Sequence, residues 1–279
     1  MNESRKPLVI YHYPCADGFT SAWIAWKEFG DDAEYLPQGY SDNPEIPDVD
    51  NRIVYLLDYA YRIDVMREIA ERAETVIVLD HHKSAEEDLL PLFEEGLIEG
   101  EFDMERSGAG ITWDWFNVDA PRPALVRHVE DRDLWNFTYP DTREINIALF
   151  SYPYEFEAWD QFETSVGTLI SEGRAILRKH TKDVHELIEQ TMYLTIGGHD
   201  NISTVNANYM FGSDLAAVLA KGQPFAAYFW INANGEYVFG LRSNKDEPQA
   251  VDVGEIAFAY GGGGHKHASG FRIKNLSEL

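Results

Sequence analysis

Residues 75–82, TVIVLDHH, constrain this chain more than any other stretch. Thr75 to Leu79 are all β-branched or apolar, with no alternation, the pattern of a strand buried on both faces of a parallel sheet. The run stops at Asp80, His81 and His82. Two other runs stop the same way, Leu8 to Tyr11 at His12 and Ile53 to Leu57 at Asp58. In open α/β sheets, ligands collect beyond the carboxyl ends of the strands. Three strands therefore bring carboxylates and imidazoles to one edge.

The segments between these runs carry helical spacing. Phe19, Ala22, Trp23 and Trp26 mark a helix over residues 17–29, and Val65, Met66, Ile69 and Ala73 mark another. Asp17 falls near the first helix's N-cap, and capping is its ordinary explanation. A turn-rich stretch, residues 38–51 with Pro44 and Pro47, separates the first unit from the second. Residues 86–95 read as an acidic helix and 98–102 as a short strand. Arg106 to Gly110 is a small-residue turn opening a further helix; its free amides suit an anion, though such turns more often serve packing. A helix over residues 123–129 runs into Glu130-Asp131-Arg132-Asp133-Leu134-Trp135, an acidic cluster set between apolar residues and so not a freely solvated face. Strand and helix alternate throughout, as in a doubly wound, mostly parallel sheet.

The texture then changes. Phe162, Val166, Leu169, Ile176, Leu177, Val184, Leu187 and Ile188 keep helical spacing, which predicts one long helix with breaks available at Gly167 or Gly173. Beyond it, 203–207 and 225–231 read as strands and 215–220 as a helix. Asn234-Gly235 reads as a hairpin turn before a strand over 237–241, and 252–260 as a helix ending in the glycine run Gly261 to Gly264 and His265. The expected organisation is bilobal α/β: a metal-binding domain over 1–150, a helical linker over 151–194 and a smaller α/β domain over 195–279.

At 279 residues and 44% hydrophobic, the chain is long enough for two cores. Its formal charge of −25 repels long nucleic acid, whose binding rests on phosphate neutralisation by Lys and Arg; an anionic substrate should be short, or held by a local positive site. The single cysteine excludes an internal disulfide. No signal peptide or apolar run of membrane length is visible, so the chain reads as soluble and cytoplasmic.

His12, Asp17, Asp58, Asp80, His81, His82 and Asp131 come from separate segments that the strand pattern gathers. Carboxylate and imidazole donors with little thiolate suit a hard or borderline divalent ion such as Mn²⁺ or Mg²⁺. The pattern of an early His with Asp-Gly, a lone strand-end Asp, DHH, a later Asp and a terminal glycine run with His resembles the DHH phosphoesterase superfamily and its associated C-terminal substrate domain over nearly the whole chain. That resemblance implies two divalent ions, Mn²⁺ before Mg²⁺, with Asp58 shared: His12 and Asp58 on one, Asp17, Asp58, His81 and Asp131 on the other. Asp133 competes with Asp131, and the Asp-x-x-Leu register favours Asp131. It further implies His82 facing the substrate phosphate, Asp80 orienting the imidazoles, and Arg242, Ser243, Asn244, Gly263, Gly264 and His265 gripping phosphate or ribose. One departure is Cys15, which stands where the family has an earlier aspartate; it is either a softer ligand or a packed small hydrophobe. The implied activity is hydrolysis of short nucleotides: oligoribonucleotides, dinucleotides or 3′-phosphonucleotides. A single-strand exonuclease of the RecJ type and an inactive nucleotide-binding regulator are the alternatives, and a homodimer is left open.

Overall fold

The computed structural model describes residues 5–39 and 45–279; part of the turn-rich stretch, residues 40–44, lies outside them. Two compact units divide the chain, Met1–Leu177 and Arg178–Leu279.

In the first unit the elements run β1 (Leu8–His12), α1 (Ala16–Phe29), β2 (Glu34–Gln38), β3 (Ile53–Leu57), α2 (Ile63–Arg72), β4 (Thr75–Asp80), α3 (Lys83–Glu94), β5 (Glu99–Phe102), α4 (Gly108–Phe116), α5 (Ala124–Asp133), α6 (Thr142–Leu149) and α7 (Phe156–Asp160). The five strands form one sheet in the order β2-β1-β3-β4-β5, every pairing parallel. Because strand side chains alternate between faces, the unbroken apolar runs serve two cores. Val9, Tyr11, Leu57, Ile77 and Leu79 pack beneath α1, α4 and α5, while Leu8, Ile10, Val54, Leu56, Val76 and Val78 pack against the residues of α2 and α3. The sheet is thus doubly wound, and the strand order reverses between β1 and β3. That reversal opens a crevice at the carboxyl ends of these two strands.

Helix α1 is buried along its whole first part, Ala16 to Ala25, because sheet, α4, α5 and α7 all lie against it. Helix α8 (Gly167–Ile188) begins at one of the two anticipated break points and runs unbroken through the other. Gly173 is needed there for approach: a Cβ would lie 1.9 Å from the Glu144 carbonyl oxygen on α6. The boundary between the two units falls inside this helix.

The second unit continues with β6 (Met192–Ile196), β7 (His199–Asn206), α9 (Tyr209–Leu219), β8 (Ala226–Ile231), β9 (Tyr237–Arg242), α10 (Val253–Ala259), β10 (Gly263–His265) and β11 (Ala268–Ile273). Its sheet runs β10-β11-β9-β8-β7-β6 and is antiparallel except for β7 with β8, which α9 connects. Helix α9 covers β8 and β9, and α10 packs on β10 and β11. The hairpin at Asn234-Gly235 is present, with Gly235 at φ 82°. No helix among the described residues is long and apolar enough to cross a membrane.

Candidate metal centre

The crevice between β1 and β3 is where donors meet. His12, the last residue of β1, places Nδ1 3.2 Å from Oδ2 of Asp58, the residue after β3. Asp58 is buried and sits at φ 53°, a left-handed conformation that aspartate tolerates better than most residues; its N–H still donates to the Leu79 carbonyl at 2.9 Å.

At the end of β4, His81 Nε2 lies among three carboxylates: 3.3 Å from Asp58 Oδ1, 3.4 Å from Asp133 Oδ2 and 3.8 Å from Asp17 Oδ2. Asp80 ties the turn together. Its Oδ1 accepts from the His81 N–H at 2.7 Å and the His82 N–H at 3.3 Å, and lies 2.7 Å from His82 Nδ1. Its Oδ2 is buried without a hydrogen-bond partner among the described residues. A carboxylate only accepts, so in this pair the proton sits on His82 Nδ1.

Asp17, on the first turn of α1, is held from across the fold. The Gly108 N–H donates to its Oδ2 at 2.7 Å and the Ala109 N–H to its Oδ1 at 3.1 Å. These are free amides at the start of α4, where the helix dipole favours negative charge. The small-residue turn at Arg106 to Gly110 therefore does hold an acceptor group, and that group is the Asp17 carboxyl. Gly108 is required by approach, since a Cβ there would lie 2.6 Å from the Asp58 Cβ.

Three sets of donor atoms lie mutually within 4.8 Å in this unit: His12, Cys15 and Asp58; Asp17, His81 and Asp133; Asp58, Asp80 and His82. Burial, reinforced by the charges of Asp58 and Asp133, pushes the Asp17 carboxyl well up, while desolvation raises the Asp133 carboxyl against the opposing charge of His81. Burial also opposes ionisation of Asp58, but hydrogen bonds from His12 and His81 outweigh it and hold that carboxyl far below its usual range. Desolvation disfavours charge on His81 as well, yet the surrounding carboxylates win and push it well above its ordinary value. Burial pushes the Cys15 thiol well up. Carboxylates crowded together at one buried edge, with Asp80 Oδ2 unpaired among the described residues, suit a divalent cation.

Asp131 stands apart from this cluster, and Asp133 takes the place that sequence register assigned to it. The reason is helical geometry: residues two apart on α5 project in roughly opposite directions. The buried Asp131 carboxylate accepts from the Thr138 N–H at 2.7 Å, the Tyr139 N–H at 3.1 Å and the Thr142 hydroxyl at 2.6 Å. It organises the loop after α5 instead of facing the donors.

In the second unit, His265, Ala268 and Arg242 are cross-strand neighbours in one row, so their side chains share a face of the sheet. Arg242 already donates to the Leu241 carbonyl at 2.8 Å and to Ser213 Oγ at 2.9 Å. Ser243 donates to the Val251 carbonyl at 2.8 Å, and Asn244 Oδ1 accepts from the Asp246 N–H at 3.1 Å, so both have local structural work. Gly263 pairs with Gly270, and Gly264 lies at φ 133° where a Cβ would meet the Ala268 carbonyl at 2.6 Å; backbone packing alone accounts for that glycine.

No protein-family model matches the sequence. An uncharacterized protein of Acanthamoeba polyphaga mimivirus is 31% identical over 297 residues, covering 99% of this chain and 69% of the viral one. The oligoribonuclease NrnB of Bacillus subtilis is 27% identical over 233 residues, covering 75% of this chain and 55% of its own. The chain thus spans about two thirds of one relative and just over half of the other. Among solved structures, the DHH domain of a member of a family of ribosomal proteins aligns with a TM-score of 0.55 at 10% identity, over 97% of this chain and 83% of that one. RecJ of Thermus thermophilus, in complex with Mn²⁺, aligns with a TM-score of 0.51 at 16% identity, over 97% of this chain and 50% of RecJ. At such identities the likeness is one of fold.

Proposed function

We propose that the chain is a phosphoesterase of the DHH superfamily, whose fold it shares, and that it hydrolyses phosphoester bonds in short nucleotides: oligoribonucleotides, dinucleotides or 3′-phosphonucleotides. The observation that carries the reading is His81 Nε2 set among Asp17, Asp58 and Asp133 at the sheet's switch point. His12, Cys15 and Asp58 would hold one divalent ion and Asp17, His81 and Asp133 a second, with Asp58 at the junction; Mn²⁺ is the first candidate and Mg²⁺ the next. Two such ions, when bound, neutralise a phosphate and stabilise attacking and leaving oxygens.

The protein's own part is positioning. Asp80 fixes the tautomer and orientation of His82, which would face a phosphate oxygen of the substrate. The amides of Gly108 and Ala109 hold Asp17 in place without adding a competing cation. In the second unit the row of His265 and Arg242 beside the small Ala268 is an anion-binding surface. The charge of −25 favours short substrates, because a long strand would have to lie along acidic surface.

The test is kcat/KM in Mn²⁺ across dinucleotides, longer RNA and DNA strands, 3′-phosphoadenosine 5′-phosphate and polyphosphate. Rates that fall with length are expected, and fall further at low salt where repulsion is least screened. Faster cleavage of long single strands would favour the RecJ-type activity instead, and metal binding without turnover would favour a regulator.

A further inference from the structure

The donor atoms of the first unit fall into two halves that differ in kind. His12, Cys15 and Asp58 lie mutually within 4.8 Å, and so do Asp17, His81 and Asp133. Each half holds an imidazole and a carboxylate. The third donor is a second carboxylate in one half and the Cys15 sulfur in the other. Asp58 reaches toward both, with Oδ2 3.2 Å from His12 Nδ1 and Oδ1 3.3 Å from His81 Nε2. With Asp58 shared, the sulfur is the chemical difference between the halves.

The backbone explains how the sulfur comes to be there. Cys15 is the N-cap residue of α1, at φ −142° and ψ 137°, and Asp17 follows on the first turn. An N-cap normally goes to Ser, Thr, Asp or Asn, whose oxygens accept from the free amides of the helix. An aspartate there would serve as cap and as hard donor together, whereas a thiol is a weak acceptor. Nor does the sulfur belong to the core. Cys15 is half-buried and is not among the side chains of the core that Phe19, Ala22 and Trp23 of the same helix enter. With packing and capping both poorly served, what a cysteine brings to this position is its affinity for soft ions. Thiolate with imidazole and carboxylate is a donor set of Zn²⁺, while carboxylates suit Mn²⁺ and Mg²⁺.

Resting on the two-ion phosphoesterase reading above, we propose that the centre is a mixed-metal one: the half of His12, Cys15 and Asp58 takes Zn²⁺ or an ion of similar softness, and the half of Asp17, His81 and Asp133 takes Mn²⁺ or Mg²⁺. As the sulfur–metal bond forms, the S–H bond breaks and its proton leaves to solvent. Cys15 is the discriminating donor, so an aspartate in its place would make the halves alike and both would take the hard ion.

The chain has a single cysteine, so every thiol signal reports on Cys15. The test loads the metal-free protein with Mn²⁺, with Co²⁺ as a spectroscopic substitute for Zn²⁺, or with both, and counts bound metal by plasma mass spectrometry. The parent should show a sulfur-to-cobalt charge-transfer band with the first equivalent of Co²⁺ and still bind Mn²⁺ in the other half. Zn²⁺ should bleach the band where excess Mn²⁺ does not, and should slow labelling of the thiol by a disulfide reagent far more than Mn²⁺ does. Cys15→Asp should bind Mn²⁺ in both halves and show no band. A parent that binds Co²⁺ without the band overturns the assignment, as does a band that Mn²⁺ removes as readily as Zn²⁺, or a thiol that the two ions leave equally reactive. None of these readouts needs substrate. The expected metal behaviour without turnover of any nucleotide would therefore sink the phosphoesterase reading and leave the mixed-metal centre standing.

Discussion

Replacing Asp131 and Asp133 each by Asn separates the loop from the metal centre, because the two changes should move opposite quantities. Asp133 lies 3.4 Å from His81 Nε2 with Asp17 and Asp58 around the same nitrogen, so removing its charge relieves repulsion in the metal-free protein. Its thermal midpoint should stay level or rise. A cation present at a hundred times its Kd stabilises the parent by about 2.7 kcal/mol, on the order of 5–10 °C for a protein of this size. A site weakened a hundred-fold by losing an anionic donor would retain only about 0.4 kcal/mol of that at the same concentration. Asp131 has no place in that exchange. Its carboxylate accepts three bonds of 2.6–3.1 Å, and an amide in its place turns an NH₂ toward a donor. Losing one such bond and leaving another mismatched costs roughly 2–5 kcal/mol, so the metal-free midpoint should drop by several degrees while the Mn²⁺-induced rise survives. Scanning fluorimetry with and without Mn²⁺ measures both. If Asp131→Asn abolishes the metal-induced rise and Asp133→Asn keeps it, the assignment of donors to α5 is refuted.

Three further perturbations test other parts of the site. Gly108→Ala puts a Cβ 2.6 Å from the Asp58 Cβ and 3.0 Å from Asp17 Oδ2; overpacking should cost about 1–3 kcal/mol and displacement of the donors about a hundred-fold in kcat, and a stable variant with parental kcat would show that the cradle is not rigid. Cys15→Asp should shift metal preference toward Mn²⁺ or Mg²⁺ and Cys15→Ala should lower bound metal, whereas parental metal content in both would make Cys15 packing only. Burial holds the His128 imidazole below its ordinary value, so the folded protein favours the neutral ring, and this contribution, complete above about pH 6.5, is lost as acidification protonates it. Urea midpoints at pH 7.5 and 5.5 should therefore fall further for the parent than for His128→Gln, and an equal fall in both would remove His128 from the account.

The strand ends were legible because residues 8–11, 53–57 and 75–79 are apolar without interruption, and such runs have few other uses in a chain of this length. The edge strand β2 was not: Glu34 to Gln38 is half exposed and contains Pro37, which an edge tolerates but a pattern search discounts. Strand β10 hid in a glycine run, since a strand whose side chains are absent shows no periodicity. The choice between Asp131 and Asp133 could not be made from spacing, because both faces of α5 are polar at that end and only the tertiary contacts decide. The amides that hold Asp17 come from residues 91 and 92 positions away. A small-residue turn announces that something negative fits there, but nothing local says that the anion is another part of the chain.

The way this chain holds its carboxylates bears on what it binds. A lysine or arginine inside the cluster would satisfy Asp17 and Asp58 permanently and compete with any divalent cation. Instead the ion-pair partners of Asp58 and Asp80 among the described residues are the imidazoles of His12, His81 and His82, and Asp17 rests on two backbone amides at a helix N-terminus. Amides and imidazoles orient a carboxylate while leaving lone pairs for another partner. The guanidinium of Arg132, the residue before Asp133, lies over the Trp135 ring, 4.1 Å from its centroid. The donors are thereby held in place before a cation arrives, and the compensating charge is left for the cation to supply.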